Sequence, residues 1–260
     1  MSDHNLHILD PIDIPHIGHR RVRVYVPPSY ESGSGPRPVL YMFDGQNIFH
    51  DEPSFSGGWH LHLTADRAQK RGQRTPLIVG IDHGGDRRVD ELGPFSTARG
   101  GGRTDALLDW MGASLLPKIR ADYGASHEPE HIGIGGSSLG GLAAIYAHFR
   151  RPDLFGLVLA MSPSLWFGEG RIYDFVAGCS KPWRSRLYID AGALEARGMM
   201  LRGTQRLHDH LRGRGWEDGS LRLLHARRGT HHEKHWRRRA PLALEFLYHP
   251  GGVPRRRRAA

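Results

Sequence analysis

Cysteine is nearly absent from this sequence of 260 residues, in which Cys179 is the single example. One thiol cannot form an internal disulfide, and it cannot build a thiolate metal cluster or the disulfide framework of a small secreted protein. Long apolar runs are missing as well, because no stretch approaches the roughly 20 apolar residues that a membrane-spanning helix needs. The sequence therefore predicts a soluble protein without disulfides and without a membrane partner.

The first residues also lack the basic start and apolar centre of a secretory signal. Asp3, Asp10 and Asp13 lie there among scattered apolar residues. We therefore expect a cytoplasmic location. The length suits a single domain, for which we expect residues 1–250, followed by a basic, disordered tail over residues 251–260 that ends in four arginines and two alanines.

The formal net charge of +9 raises the possibility of a basic nucleic-acid-binding module. Lysines and arginines that neutralise phosphates supply most of the nonspecific affinity for DNA or RNA. Here, however, the basic residues are spread along the whole chain and are mostly arginine, with local clusters only at Arg237–Arg239 and Arg255–Arg258. This distribution favours a solvated surface and argues against a nucleic-acid partner.

Short apolar runs alternate with helical patterns, which predicts an α/β fold with a mostly parallel central sheet and helices on both faces. The strict alternation from Arg21 to Val26 predicts a half-exposed edge strand. The continuous apolar runs Val39–Phe43 and Leu77–Ile81 predict buried central strands. From His83 to Arg103 the sequence is glycine-rich and long enough to predict a functional loop.

The sharpest motif is Gly136-Ser137-Ser138-Leu139-Gly140, which matches Gly-x-Ser-x-Gly. A predicted strand precedes it and a predicted helix follows it, which is the setting of the nucleophile elbow in α/β hydrolases. Small residues at both ends let the strand and the helix approach closely around a strained serine. The pattern predicts Ser138 as a nucleophile and the N–H of Leu139 as an oxyanion donor. The alternative is a glycine-rich turn between a strand and a helix that has no catalytic role.

A serine hydroxyl needs a base, and the order in this fold is nucleophile, acid, then a histidine after the last strand. His231 follows the predicted strand Leu221–Ala226, with His232 as a close competitor among eighteen histidines. Two carboxylates between the serine and this histidine can orient the imidazole, namely Asp190 and Glu195. We favour Glu195, because it lies beyond a glycine turn and can lean toward the histidine.

Further candidates lie in the loops after other strands. The N–H of Gln46, after the central strand, is the expected second oxyanion donor. Asp44 in the same loop, together with Trp166 and Phe167, is a candidate for substrate binding. For the aromatic residues, ordinary packing of a loop is an equally good explanation.

Taken together, these segments resemble the esterase D group of α/β hydrolases, which includes enterochelin esterases, feruloyl and acetylxylan esterases, and mycolyltransferases. The resemblance covers most of the chain and rests on five further segments, which are Val24–Tyr30, Leu40–Asn47, Gly80–Asp82, Ser162–Trp166 and Gly229–Trp236. It implies the α/β-hydrolase fold, the histidine at His231 and the acid at Glu195. Family members often carry aspartate as the acid and methionine where Leu139 stands.

The sequence thus predicts a serine esterase that forms an acyl-enzyme on a small or medium ester, with no cofactor and no metal. An acyltransferase with the same triad is an open alternative, because it differs only in the acceptor of the acyl group. A metal hydrolase is a weaker alternative: the zincin motif His-Glu-x-x-His is one residue short in His232-Glu233-Lys234-His235, and Trp236 stands in the place of the second ligand.

Overall fold

A computed structural model describes residues 5–15, 17–28, 30, 37–54 and 56–249. The strands in chain order are β1 (Leu6–Ile8), β2 (Ile12–Ile14), β3 (Gly18–Arg20), β4 (Val22–Tyr25), β5 (Val39–Phe43), β6 (Leu77–Ile81), β7 (Ile132–Ser137), β8 (Leu157–Met161), β9 (Arg186–Gly192) and β10 (Leu221–Ala226). The α-helices are α1 (Leu61–Gln69), α2 (Arg88–Leu92), α3 (Thr104–Trp110), α4 (Leu116–Tyr123), α5 (Leu139–Arg150), α6 (Arg171–Gly178), α7 (Met199–Gly213) and α8 (Glu233–Tyr248).

Eight of the strands form one sheet in the order β1-β4-β6-β5-β7-β8-β9-β10, while β2 and β3 form a separate hairpin. Six neighbouring strands are parallel to one another, in the order β6, β5, β7, β8, β9 and β10. At one side of them, β4 pairs with β6 and β1 pairs with β4, both in antiparallel orientation. In parallel sheets the carboxyl ends of the strands meet at one edge, where the following loops collect functional groups. The predicted fold class, a mostly parallel α/β-hydrolase sheet with helices on both faces, is confirmed.

The core lies on both faces of this sheet because side chains alternate along each strand. In β5, for example, Tyr41 belongs to the buried cluster that includes residues of the helices α3 to α7, whereas Leu40 and Met42 belong to a second cluster with residues of α1 and α8. Every residue of β5 to β8 is buried, as expected of strands covered on two sides. A five-residue π-helical segment, Met111–Leu115, joins α3 to α4.

The edge strand predicted at Arg21–Val26 is wrong in its position. It corresponds to β4, which is fully buried between β1 and β6. The edge is β1, whose three residues are too few to show a periodic pattern. In this pairing Leu6 lies opposite Tyr25, so β1 covers the side of β4 that the sequence pattern predicted to be exposed.

The glycine-rich stretch His83–Arg103 is not a simple loop, because it contains α2. The buried carboxylate of Glu91 in that helix pairs with Arg20, and its backbone carbonyl accepts a hydrogen bond of 2.9 Å from the Thr104 hydroxyl. These long-range contacts stabilise five residues that show no apolar periodicity of their own. The predicted tail over residues 251–260 lies outside the described residues. None of the helices in the described part of the chain combines the length and the apolar character needed to cross a membrane.

Candidate active site

The turn between β7 and α5 carries Ser138 in a strained backbone conformation. Its φ and ψ angles are 56° and −120°, a region that residues with a side chain rarely adopt. The turn is tight, since a Cβ on Gly136 would lie only 2.8 Å from the carbonyl carbon of Gly140. Ser138 is nevertheless half-exposed at the edge of the sheet, with β7 below it and the N-terminus of α5 behind it.

The Ser138 hydroxyl has one hydrogen-bond partner among the described residues, the hydroxyl of Ser164 at 3.1 Å. The backbone binds the same residue, because the N–H of Ser164 donates to the carbonyl of Ser138 at 2.9 Å. The hydroxyl therefore does not hydrogen-bond to His231 in this structure. Serine–histidine contacts of unliganded enzymes are often long and tighten only with substrate bound.

His231 and Glu195 are brought together from opposite sides of a loop cluster above β9 and β10. The Nδ1 atom of His231 lies 2.9 Å from Oε2 of Glu195. The Glu195 carboxylate is fully buried, while the imidazole is 39% exposed and therefore open to a substrate. Burial opposes the charge on Glu195, but hydrogen bonds from His231 and Ser162 outweigh it and hold the pKa of Glu195 below its usual range.

Two glycines let the acid turn and the histidine loop meet. A Cβ on Gly192, at the end of β9, would overlap the carbonyl of Gly229, which belongs to the loop before His231. The N–H of Gly192 also donates to Oε1 of Glu195 at 2.9 Å. Backbone contact at this point fixes the distance between the carboxylate and the imidazole.

Asp190, the alternative acid, is occupied by another partner. Both of its carboxylate oxygens accept hydrogen bonds from Arg239, at 2.8 and 2.9 Å. Burial raises the pKa of the Asp190 carboxyl, and the bonds from Arg239 oppose that shift. Among the described residues, therefore, Glu195 and not Asp190 is the carboxylate that contacts His231.

The two expected oxyanion donors sit at helix starts. Leu139 is the first residue of α5, and Gln46 lies within the 3-10 turn Gly45–Asn47. The N–H groups at the start of a helix have no carbonyl acceptor within that helix, so both are available to another acceptor. The turn packs against the end of β6, because a Cβ on Gly45 would lie 2.5 Å from the carbonyl carbon of Gly80. The Gln46 side chain accepts a hydrogen bond of 3.2 Å from the N–H of His83, which holds this turn in place.

Asp44, a candidate for substrate binding, is only 4% exposed. Its carboxylate accepts hydrogen bonds of 2.6 and 2.8 Å from Arg88, and it lies beside Gly140 of the elbow. Burial disfavours the charge on Arg88, but the bonds to Asp44 more than compensate and raise the pKa of Arg88. Asp44 thus holds a partly exposed arginine near the elbow, and a direct contact of its own with substrate stays a prediction.

Trp166 and Phe167 follow Ser164 along the chain. Trp166 is 48% exposed and lines two clefts of about 370 and 610 Å³. Phe167 is buried except for 6% of its surface and packs against Gly93 and Gly101. Trp166 is thus exposed at the border of both clefts, and Phe167 lies mainly in the wall of the larger cleft. Substrate binding by either residue stays a prediction.

The histidines that suggested a metal site are engaged in local hydrogen bonds. Nδ1 of His232 accepts from the N–H of Lys234 at the start of α8, and Nδ1 of His235 accepts from the N–H of Thr230. In the part of the chain that the structure describes, no group of three histidine, cysteine, aspartate or glutamate side chains could hold a metal ion.

Sequence reasoning missed three side chains that contact the candidate triad, namely Ser162, Ser164 and Arg239. Both serines belong to Ser162-Pro163-Ser164, a segment that was noted only for its resemblance to the esterase D group. Its position directly after β8, between the strands that carry Ser138 and Glu195, could have indicated the contacts. No local pattern distinguishes Arg239 from its neighbours Arg237 and Arg238.

A family model, Esterase, described as "Putative esterase", matches residues 17–247. Among curated proteins, an uncharacterized protein of Bacillus subtilis, YbbA, is 29% identical over 89% of this chain and 93% of its own length. The iron(III) salmochelin esterase of Escherichia coli O6:H1 is 31% identical over 58% of this chain, and the match covers 34% of that enzyme.

Among solved structures, the enterobactin esterase FES from Shigella flexneri superimposes with a TM-score of 0.74 at 22% identity, covering 94% of this chain and 58% of that one. The chain thus spans about a third of the salmochelin esterase and little more than half of the enterobactin esterase. At this identity the structural likeness shows the fold. The family match over residues 17–247, most of the sequence, shows that the chain belongs to the esterase family of carboxylic ester hydrolases.

Proposed function

We propose that the protein is a serine esterase in which Ser138 is the nucleophile, His231 the general base and Glu195 the acid that orients the base. The observation that carries the proposal is the 2.9 Å contact between His231 Nδ1 and Glu195 Oε2 at the same sheet edge as the strained Ser138. A buried carboxylate at Nδ1 keeps the proton there, so Nε2 is free to accept the proton of the nucleophile.

In the first step, Ser138 Oγ attacks the ester carbonyl and its proton passes to Nε2 of His231. The N–H groups of Leu139 and Gln46 hold the oxyanion, and each such donor typically contributes about 3 kcal/mol of transition-state stabilisation. The imidazolium then protonates the leaving alcohol, which leaves an acyl group on Ser138. In the second step, His231 takes a proton from water, the water oxygen attacks the acyl group, and the carboxylic acid product leaves as Ser138 regains its proton.

The contact between Ser138 and Ser164 defines a resting state of the nucleophile. The Ser138 hydroxyl must turn from Ser164 toward His231 before it can lose its proton. The proposal requires this movement of the hydroxyl, and a closer approach of the imidazole would serve the same end. The Ser164 hydroxyl then becomes free to bond either the substrate or water.

The substrate that we propose is a small-molecule ester, bound across the clefts beside Trp166. The smaller cleft combines apolar side chains such as Leu165 and Met200 with Arg202 and Arg206, so it suits a partly apolar group that carries oxygen acceptors or a negative charge. The names of relatives such as the iron(III) salmochelin esterase make siderophore esters worthwhile substrates to test. A cytoplasmic location and a single domain stay predictions from the sequence.

A series of p-nitrophenyl esters of increasing acyl length tests the proposal. Wild type should hydrolyse at least the short esters, and Ser138→Ala should lose 10³-fold or more of kcat. Ser126→Ala is a matched control, since Ser126 lies before β7, at the opposite edge of the sheet. Hydrolysis retained in Ser138→Ala, or loss of activity with a chelator, would contradict the proposal. Adding alcohols and measuring the new ester formed distinguishes acyl transfer from hydrolysis.

A further inference from the structure

The hydroxyl of Ser162, directly after β8, is the centre of a buried network around the proposed acid. It accepts hydrogen bonds from Nε1 of Trp236 at 3.0 Å and from Nη2 of Arg239 at 3.1 Å. A hydroxyl has two lone pairs and one proton, and both lone pairs are used by these N–H donors. The proton must therefore point to its third neighbour, Oε1 of Glu195 at 2.8 Å.

The backbone of Ser162 supports a functional role for this arrangement. Its φ angle is 45°, in the left-handed region that favours glycine, and the residue is completely buried. The N–H of Ser162 is held by the backbone carbonyl of Asp190 at 2.9 Å. Such a conformation is energetically costly and tends to persist at functional sites.

Arg239 adds a positive charge to the same network. Its Nη2 atom lies 3.8 Å from Oε1 of Glu195, and its side chain is 6% exposed. Nη1 is buried and has no hydrogen-bond partner among the described residues. A buried guanidinium with an unpaired donor is a poor source of stability, so its presence beside the proposed acid calls for another explanation.

We propose that Ser162, Asp190 and Arg239 are positioning residues that orient the Glu195 carboxylate and balance the charge around the Glu195–His231 pair. This inference rests on the proposed function. Ser162 fixes the rotation of the carboxylate, Arg239 supplies a cation beside it, and Asp190 holds and partly neutralises that cation. Among the described residues, the titratable and charged groups around the pair include Asp190, Tyr188 and Arg239. Arg222 interacts with Tyr188, and His235 interacts with Arg239, Arg238 and His232.

The charge balance predicts opposite effects for two substitutions. Arg239→Gln removes a cation near the imidazolium of His231, which then stays protonated to higher pH, so the acid limb of the kcat/KM profile should move up. Asp190→Asn removes an anion and leaves the charge of Arg239 less neutralised, so the acid limb should move down. Each movement should be about 0.5 pH unit or more, as expected of a charge within several ångströms of a titrating pair.

The experiment measures kcat/KM for a short p-nitrophenyl ester between pH 5 and 9, in wild type and in these two variants. Ser162→Ala completes the series: kcat should fall about tenfold with little change in KM, because the carboxylate loses its orienting donor while the substrate site is untouched. Asp82→Asn is the matched control. Asp82 accepts from Nε and Nη2 of Arg23 at 2.8 and 2.9 Å, as Asp190 does from Arg239, but among the described residues this pair makes no hydrogen bond or ion pair with Glu195.

Thermal melts report any loss of folding, which by itself cannot move the two acid limbs in opposite directions. If Arg239→Gln does not fold, the near-isosteric Asp190→Asn decides, and its acid limb must move down. Limbs that stay in place, or move in the same direction, would overturn the inference. If these limbs stay in place while Ser138→Ala is inactive, only this inference fails. If Ser138→Ala remains active, the proposed function fails.

Discussion

His148 offers a sharp test of the packing between α5 and the end of β8. The imidazole is completely buried, its Nδ1–H donates to the carbonyl of Phe155 at 2.7 Å, and Nε2 has no hydrogen-bond partner among the described residues. Phe149 and Trp216 lie against the ring, with centroids 5.0 and 6.1 Å away. Burial lowers the pKa of His148 to about 4 from an ordinary 6.5, because a second proton would lie at Nε2 with no acceptor.

Because this pKa is lower in the folded protein, the stability that comes from neutral His148 is present above pH 6.5 and is lost as the pH falls toward 4. The shift corresponds to about 3 kcal/mol in total and to about 2 kcal/mol between pH 7 and pH 5. His148→Asn keeps an N–H donor for Phe155 and cannot take up the proton. Urea unfolding at pH 7 and pH 5 should therefore show a free energy of unfolding that falls by about 2 kcal/mol more in wild type than in His148→Asn. Equal pH dependence in the two proteins would refute the assignment of a neutral, buried imidazole.

Three further substitutions probe the candidate site. Glu195→Gln should lower kcat by about 10⁴ with the protein still folded, since the amide cannot orient and balance the imidazolium as a carboxylate does; a loss below tenfold would contradict the role of Glu195. Gly192→Ala should reduce both kcat and the unfolding temperature, because the added methyl group overlaps the Gly229 carbonyl, and a variant with wild-type kinetics would show that this backbone contact does not set the acid–base distance. Trp166→Ala should raise KM about fivefold or more for an ester with an aromatic acyl group and less for the corresponding acetate, as expected of a lost aromatic contact of about 1 kcal/mol. An equal change for the two esters would argue against substrate contact at Trp166.

Much of the fold followed from apolar patterns, because central parallel strands are buried on both faces and read as continuous apolar runs. The predicted strand Leu221–Ala226 has the bounds that the structure gives β10. The errors arose where tertiary contacts override local pattern. β1 has only three residues, and α2 depends on the ion pair between Arg20 and Glu91, whose partners are 71 residues apart.

The candidate site could be predicted from the sequence only as far as one motif and the order of groups along the chain allow. The Gly-x-Ser-x-Gly motif marks Ser138 as the proposed nucleophile, and the position after the last strand limits the proposed base to His231 or His232. The structural reason to prefer Glu195 over Asp190 is that Asp190 is paired with Arg239. This pairing is a tertiary contact that no local sequence pattern indicates. No local pattern indicates the contacts of the Ser162 and Ser164 hydroxyls either, because their partners follow other strands.

Acylation of Ser138 during turnover is the step on which the proposed mechanism depends. Intact-mass spectrometry of the protein quenched during hydrolysis of a slowly released ester, followed by peptide mapping, measures this directly. Wild type should carry one acyl group on Ser138, a variant impaired in deacylation should accumulate that adduct, and Ser138→Ala should carry none. An acyl group on another residue, or turnover by Ser138→Ala at the wild-type rate, would contradict it.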